Sequence, residues 1–582
     1  MSYSFTPEDY EVELTAIIEE LLVLEEVDAA SLQRVLRRYP KDDRGLFSKS
    51  EIIRGFRHLK PTQRWEIGEE TFLERLRMKP IRTASGVAPV TVLTKPFPCP
   101  GQCIFCPSDV RMPKSYLSDE PGAQRAAQHH FDPYRQSLSR LLVYHNNGHR
   151  VDKIELIILG GTWSHYPEEY QIWFVKRCFD AMNDLPGYLE GAVPSWTANR
   201  VYFRINDEQV DGRSIERRYN TVVSDFLRDH PETENETAEW PDLFAAQLVN
   251  ETALARCVGL VLETRPDNLT IEEVTRIRRL GATKVQIGFQ SLSDKVLELN
   301  HRGHDVAATA RAVKLLRSAG FKLHAHWMPN LYGSSPEADV VDFTRMFEEA
   351  DFRPDELKIY PCSLIESAEL MAYYQDGRWR PYSHDELMFV LTECLRLTPP
   401  YCRVTRVIRD IPGTDIVEGN KLTNFRELAE GDLDRRGIDT QEIRSREVRL
   451  RDVEDAALSL KGIEYETSVG REHFLQFTTA DGQLAAFLRL SLPTEPVPID
   501  EIATSAMIRE VHVYGVVVGL GERQEGRSQH LGLGTRLIER AAELAQEAGF
   551  SELAVISSVG TREYYRRLGF EDGEMYQRKG LA

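Results

Sequence analysis

One unit recurs between about Ile81 and about Tyr401: a short apolar run, then an amphipathic helix pattern. VDKIELIILGG, CVGLVLETRPD, KVQIGFQS, FKLHAHWMPN and LKIYPC read as strands. EEYQIWFVKRCFDAM, TIEEVTRIRRLG, VAATARAVKLLRSAG and VDFTRMFEEA read as helices. Such alternation forces a parallel sheet, because each helix carries the chain back to the end where the previous strand began. The pattern predicts an α/β fold containing a partial TIM-like barrel. Functional side chains in such barrels stand at the C-terminal strand ends, and the tails GGTW, ETRPD, GFQS and HWMPN fall there. Glu263 and Arg265 lie in one of these tails and are candidates to hold a cofactor or substrate. His324 and His326 are two residues apart and share a strand face, with Trp327 on the other; they read first as buried, hydrogen-bonded histidines.

The loop KPFPCPGQCIFCPSD carries Cys99, Cys103 and Cys106. The spacing Cys-x3-Cys-x2-Cys supplies three thiolates, one fewer than a closed four-cysteine site. A [4Fe–4S] cube so held leaves one iron open to an outside ligand. The motif resembles that of radical S-adenosylmethionine (SAM) enzymes, where SAM is that ligand and an electron from the cube releases a 5′-deoxyadenosyl radical. The alternatives are a zinc loop with a remote fourth ligand, or unrelated thiols. Cys178, Cys257, Cys362, Cys394 and Cys402 are scattered and read as buried or incidental.

At 582 residues the chain is too long for one core. We expect an N-terminal helical, basic segment over 1–75, the barrel over 76–401, an Arg-rich connector over 402–466 and a further domain over 467–582. Residues 184–250 are polar and read as an insertion. The net charge of −19 excludes a generic polyanion binder, so a nucleic acid would have to meet local basic patches. Nine basic and three acidic residues lie between Arg34 and Lys60. Arg403, Arg406, Arg409, Arg444 and Arg446 lie in the connector. Either patch can equally be a solvated surface. No run approaches a membrane span, the N-terminus lacks a signal-peptide pattern, and eight cysteines are too few for a disulfide scaffold, so the expected location is cytoplasmic.

After about Thr467 the chain changes character. LQFTTADGQLAAFLRLSL reads as a hairpin turning at Asp481-Gly482, and MIREVHVYGVVVGLG as a long strand. QHLGLGTRLIERAAELAQEAGF reads as a helix, ELAVISSVG as a strand and TREYYRRLGFE as a short helix. This order resembles the GNAT acetyltransferase fold. Gln529-His530-Leu531-Gly532-Leu533-Gly534 is similar to that family's pyrophosphate loop. Unpaired N–H groups at Leu533, Gly534 and Thr535 would face coenzyme A, with small residues permitting close approach. Glu510, Val511, His512 and Val513 would present backbone groups to its pantetheine arm. A hydroxyl of Tyr564 or Tyr565, with Tyr565 preferred, can protonate a leaving thiolate. The plainer alternative is an ordinary helix start beside a core tyrosine pair.

Together, RTASGVA, the cysteine loop, VDKIELIILGGTW, ETRPD, NHRGH, DIPG, IREVHVYG, QHLGLG, AVIS and TREYYRRLG, in this order, resemble the catalytic-subunit family of the Elongator complex in its stand-alone prokaryotic form. The resemblance spans about residues 75–582. It implies use of acetyl-CoA and SAM to form a carboxymethyl group on C5 of the wobble uridine of tRNA. It further implies an anticodon stem-loop as partner, an external electron donor, and no need for other Elongator subunits. Carried over, Cys99, Cys103 and Cys106 would be cluster ligands, and Gly160, Gly161 and Thr162 would meet SAM. Lys153 is similar to a family lysine that reaches the coenzyme from the barrel side; otherwise it reads as a surface lysine. The connector arginines would contact the anticodon loop. The spacing between Cys99 and Cys103 is shorter than in eukaryotic members. The competing class is a protein lysine acetyltransferase with a structural iron–sulfur cluster, and a third is a scaffold that only senses acetyl-CoA.

Overall fold

The structure is a computed structural model describing residues 5–41, 45–77, 86–191, 219–229, 236–448, 457–514 and 532–581. Arg44, residues 82–85 of RTASGVA, residues 192–218 and 230–235 of the expected insertion, residues 515–521 of the expected long strand, and Gln529, His530 and Leu531 lie outside the described residues.

Among the described residues, seven strands form one sheet in sequential order with every neighbouring pair parallel. They are β1 (Ala88–Leu93), β2 (Lys153–Leu159), β3 (Arg256–Thr264), β4 (Lys284–Gln290), β5 (Lys322–Trp327), β6 (Glu356–Ile359) and β7 (Arg403–Val407). β1 and β7 are the two edges, so the barrel is open, as expected from the repeating unit. β2 shows how the sequence sets its faces. Ile154, Leu156 and Ile158 are buried, against helices including Pro133–Asn146 and Glu168–Leu189. Lys153, Glu155, Ile157 and Leu159 alternate with them and share the inner face. The helices starting at Ile271, Asp294, Val306, Pro336 and His384 each open on a Thr, Ser or Asp side chain that accepts a backbone N–H of the first turn.

β7 lies within the stretch read as a connector. RVTRV is a strand with Val404 and Val407 buried, and its arginines hid that alternation. The second sheet has the order β13-β14-β12-β11-β10-β9-β8. Its strands are β8 (Ser459–Glu466), β9 (Gly470–Thr478), β10 (Leu484–Pro493), β11 (Ala506–Val513), β12 (Glu552–Val555), β13 (Glu571–Asp572) and β14 (Gln577–Gly580). The hairpin read around Asp481-Gly482 is β9–β10, and Gly482 takes a positive φ of 85° there.

The helices Glu11–Val23, Ala29–Leu36, Lys49–Leu59 and Glu69–Leu76 pack around their own core of Leu14, Ile17, Ile52, Phe56 and Phe72. They attach to the barrel through Arg57 and Arg77, which donate to His145 O and Gly148 O, each at 3.0 Å. Several of the patch's basic residues are engaged internally. Arg38 pairs with Glu20, Lys41 with Glu51, and Arg54 donates to Phe5 O. Among the described residues no helix is long and apolar enough to cross a membrane.

The second sheet is bonded to the half-barrel through buried charge. Arg509 on β11 donates from both terminal nitrogens to Asp355, each at 2.7 Å, and from Nε to Glu472 at 2.9 Å. Asp355, Glu472 and Arg509 side chains are fully buried. Lys322, the first residue of β5, is shared between Glu510 at 2.5 Å and Glu356 at 3.2 Å. Desolvating such ions is costly, so each must keep its partners. The second domain therefore meets the barrel at the strands' N-terminal ends, and the cysteine loop follows β1 at the opposite end.

Candidate active site

The cysteine loop is pinned from outside itself. Ile104 donates to Asn300 O at 3.2 Å, Leu370 donates to Ile104 O at 2.8 Å, and Cys99 N–H donates to Asn220 Oδ1 at 2.9 Å. Cys99, Cys103 and Cys106 border one pocket with Gly161, Thr162, Glu263, Arg265, Gln290 and Arg302. Gly101 N–H points at Cys99 Sγ at 3.4 Å, and Ser115 Oγ lies 3.2 Å from Cys106 Sγ. Arg302 and Arg265 approach Cys103 Sγ at 3.6 and 3.9 Å. A hydrogen bond from the Cys106 thiol, reinforced by the two guanidiniums, holds the Cys103 thiol well below its ordinary value. Three thiols around one pocket, one of them favoured as thiolate, are a donor set that fits an iron–sulfur cluster. β2 ends beside them. Gly160 has φ +116°, and a Cβ there would lie 2.3 Å from Thr94 Oγ1. That turn carries Thr162 Oγ1 to 3.7 Å from Cys99 Sγ.

In the second sheet, β11 pairs with β12 only over Ala506–Ile508 and Leu553–Val555. Beyond Ile508 the two strands separate, while β11 stays paired with β10 as far as Val513. The edge of β11 from Arg509 to Val513 thus faces the gap. The helix Leu533–Glu547 starts without a side-chain cap, after Gly532 at φ +66°. Its first N–H groups have the vacancy common to helix starts. Gly534 leaves room that a Cβ would close to 2.9 Å from Tyr564 Oη. Of the tyrosine pair, Tyr565 is buried and borders the central cavity, and burial raises its hydroxyl pKa. His512 lies between Phe487 and Tyr514, with ring centroids at 5.7 and 4.3 Å. Burial lowers its pKa to about 4, and its Nε2 is buried without a partner among the described residues.

One cavity of about 1980 Å³ joins the two regions. Cys106, Gly161, Glu263 and Arg302 border it at one end; Glu510, His512, Tyr514 and Tyr565 border it at the other. Its middle is the half-barrel interior, which is charged rather than apolar. Lys284 lies 2.6 Å from Glu155 and 3.1 Å from Glu356. His324 donates to or accepts from Thr405 Oγ1 at 2.9 Å, and His326 lies 2.9 Å from Gln286 Oε1. Both histidines are buried and hydrogen-bonded, with pKa values pushed well down by burial.

Known proteins match over this whole arrangement. The chain fits the Radical SAM superfamily over residues 242–343, the Radical_SAM C-terminal domain over 354–435 and the Acetyltransferase (GNAT) family over 443–570. It is 37% identical over 497 residues to the tRNA uridine(34) acetyltransferase of Dehalococcoides mccartyi, covering 84% of this chain and 96% of that one. It is 33% identical over 519 residues to human Elongator complex protein 3, covering 86% and 85%. The chain belongs to the tRNA uridine(34) acetyltransferase/Elongator complex protein 3 family. The solved archaeal Methanocaldococcus infernus Elp3, lacking its first 46 residues, superposes with a TM-score of 0.67 at 33% identity, covering 85% of this chain and all of that one. The half-barrel is the radical SAM domain of this family member, and the mixed sheet is its GNAT domain.

In this family member Lys153 stands at the start of β2 on the inner face, with its pKa lowered by burial. Arg403, Arg406, Arg409 and Arg444 border the cavity, whereas Arg446 is not among its lining residues. All five are engaged. Arg403 pairs with Glu447 and Tyr514, Arg406 with Asp410, Arg409 with Glu120, Arg444 with Thr405 O, and Arg446 with Gln476 and Pro400 O. Sequence reasoning missed Gln286, Lys358, Tyr116 and Tyr360 in the cavity wall. It quoted NHRGH without a role; the motif supplies Asn300, which holds the cysteine loop, and Arg302, which faces Cys103.

Proposed function

We propose that this protein is a tRNA-modifying enzyme that uses acetyl-CoA and SAM to form a carboxymethyl group on C5 of the wobble uridine. The observation that carries this reading is the single cavity running from the cysteine pocket to the GNAT strand gap. An acyl group seated at one end and a base seated near the other would share it without crossing protein.

In this reading Cys99, Cys103 and Cys106 hold a [4Fe–4S] cluster, and Gly160, Gly161 and Thr162 seat SAM beside it. With both bound, the pocket would supply 5′-deoxyadenosyl radical chemistry able to take a hydrogen atom from the acetyl methyl group. The free edge of β11 from Glu510 to Val513 pairs with the pantetheine arm. Leu533, Gly534 and Thr535 receive the pyrophosphate. Tyr565, kept protonated by burial, would donate to the coenzyme A sulfur as water attacks the thioester carbonyl, so that the carboxylate forms as coenzyme A leaves. Lys153 assists coenzyme binding from the barrel side. Arg403, Arg406, Arg409, Arg444 and Arg446 lie on the anticodon stem-loop's approach. The electron comes from an external donor. Other Elongator subunits are not required, in keeping with relatives named as acetyltransferases in their own right.

The test is anaerobically reconstituted protein with acetyl-CoA, SAM, reductant and unmodified tRNA, followed by digestion and mass spectrometry. Carboxymethyluridine is expected, and it should vanish in Cys103→Ser and Tyr565→Ala. Acetylated protein lysines without any modified uridine would replace this reading with a protein acetyltransferase.

A further inference from the structure

The cavity wall contains a mismatch of hydrogen-bonding roles. Lys358 Nζ lies 2.5 Å from Gln286 Oε1. An ammonium has only donors, so this contact fixes which end of the Gln286 amide is oxygen. His326 Nε2 lies 2.9 Å from the same oxygen and must therefore carry the ring proton. Burial of the ring, with Lys358, Arg409 and Arg302 nearby, favours the neutral form of His326. Its Nδ1 is then a bare lone pair. That Nδ1 faces Glu263 Oε1 at 3.6 Å, and a carboxylate is also acceptor-only. Among the described residues nothing donates to His326 Nδ1, and the only donor to Glu263 is Tyr116 Oη, on its other oxygen at 3.4 Å. Two acceptors facing each other in a partly desolvated site require a donor between them.

The surroundings say what kind of donor. The amide NH₂ of Gln286 also has no partner among the described residues, so an open donor stands beside the acceptor pair. Tyr360 supplies a ring wall, with its centroid 5.9 Å from that of His326. Glu263 borders both the cysteine pocket and the large cavity, so a planar ring held there lies where the two meet. A planar ring with one N–H flanked by two carbonyls is an imide, and the uracil edge is one: N3–H between O2 and O4.

We propose that Glu263 and His326 Nδ1 form the seat for N3–H of the target uracil, with Gln286 Nε2 donating to a neighbouring carbonyl. This rests on the tRNA uridine reading above and extends it to base selection. Cytosine presents a lone pair at N3 and would meet two acceptors. A site built around a substrate N–H rejects analogues lacking it by large factors, on the order of 10⁴ in favourable cases.

The test uses the reconstituted full chain and anticodon stem-loops carrying uridine, 3-methyluridine or cytidine at the wobble position. Uridine is converted, and 3-methyluridine, which has no N3–H, is converted at least about 100-fold more slowly. In Glu263→Gln, whose amide can donate to cytosine N3, the cytidine loop becomes at least about 10-fold stronger as a competitor relative to the uridine loop. Near-UV circular dichroism checks that this variant is folded. Conversion of 3-methyluridine within about 3-fold of uridine, or an unchanged competition ratio in folded Glu263→Gln, would overturn the seat. Absence of product from the uridine loop itself would remove the functional reading and the seat with it.

Discussion

Lys322 Nζ, at the first position of β5, lies 2.5 Å from Glu510 Oε1 on the GNAT strand that borders the acyl end of the cavity. The same lysine reaches Glu356, and Arg489 also holds Glu510 at 2.8 Å. The strand that would hold the coenzyme is thus braced by the floor of the half-barrel. Replacing Lys322 by Met leaves two carboxylates short of a cation. We expect a loss of about 3 kcal/mol, read as a lower urea midpoint. If the two domains then unfold in separate transitions, the brace is what makes them cooperative.

Asp355 carries a larger share of the same interface. Burial would raise its pKa, but Arg509 and Arg489 outweigh that and leave it below the ordinary value. A carboxylate with a depressed folded pKa contributes stability that is complete above its unfolded pKa, about 3.9, and is lost as pH falls through the folded one. Stability from this group should be flat between about pH 7 and 5 and decline below about pH 4. Asp355→Asn should cost about 3–5 kcal/mol at neutral pH, because Arg509 is left buried beside a neutral amide. Chemical denaturation at several pH values checks both, and the variant should show a shallower acid decline.

Lys358 gives a dependence of the same sign in the alkaline range. Burial lowers its pKa to about 8, with Arg406 opposing and Glu263 supporting the charged form. Above that value the folded chain binds fewer protons here than the unfolded one, whose lysine titrates near 10.4. Stability from this group therefore rises with pH across about 8 to 10.4. Activity should run the other way: losing the ammonium frees the Gln286 oxygen and loosens the cavity wall. The pH–rate profile should fall above about 8, and Lys358→Met should flatten that limb at a lower plateau.

Gly160→Ala places a Cβ 2.3 Å from Thr94 Oγ1 at φ +116°, a conformation that L side chains rarely adopt. We expect a destabilisation of about 1–3 kcal/mol and impaired SAM binding, measured calorimetrically, with acetyl-CoA binding intact. Equal loss of both ligands would point to global unfolding instead.

Tyr565→Phe removes one oxygen from a buried ring. Coenzyme A release should slow by about 10²-fold while tRNA affinity is unchanged. Because burial raises this hydroxyl's pKa, the wild-type profile should show no tyrosine limb in the working range.

The parallel half-barrel was legible because its strands are apolar runs bounded by polar tails, and each tail stands where chemistry is expected. The cysteine loop was legible from spacing alone. RVTRV was not, because its arginines look like surface charge. Their role depends on partners far away in sequence, such as Tyr514 for Arg403, 111 residues off. The charged lining was equally hidden. Glu155, Lys284 and Glu356 sit singly in separate strands and meet only when the sheet curls. The acceptor pair of Glu263 and His326 depends on a tautomer, which the order of residues does not encode.

The undivided cavity of about 1980 Å³ has a thermodynamic consequence. A coenzyme entering from the GNAT side would expel water that a base arriving at the cysteine side would otherwise displace, and the two would share walls. Each ligand then alters the other's affinity, and linkage requires the two alterations to be equal in free energy. On the proposed reading, coenzyme and nucleic acid would in this sense be each other's effectors.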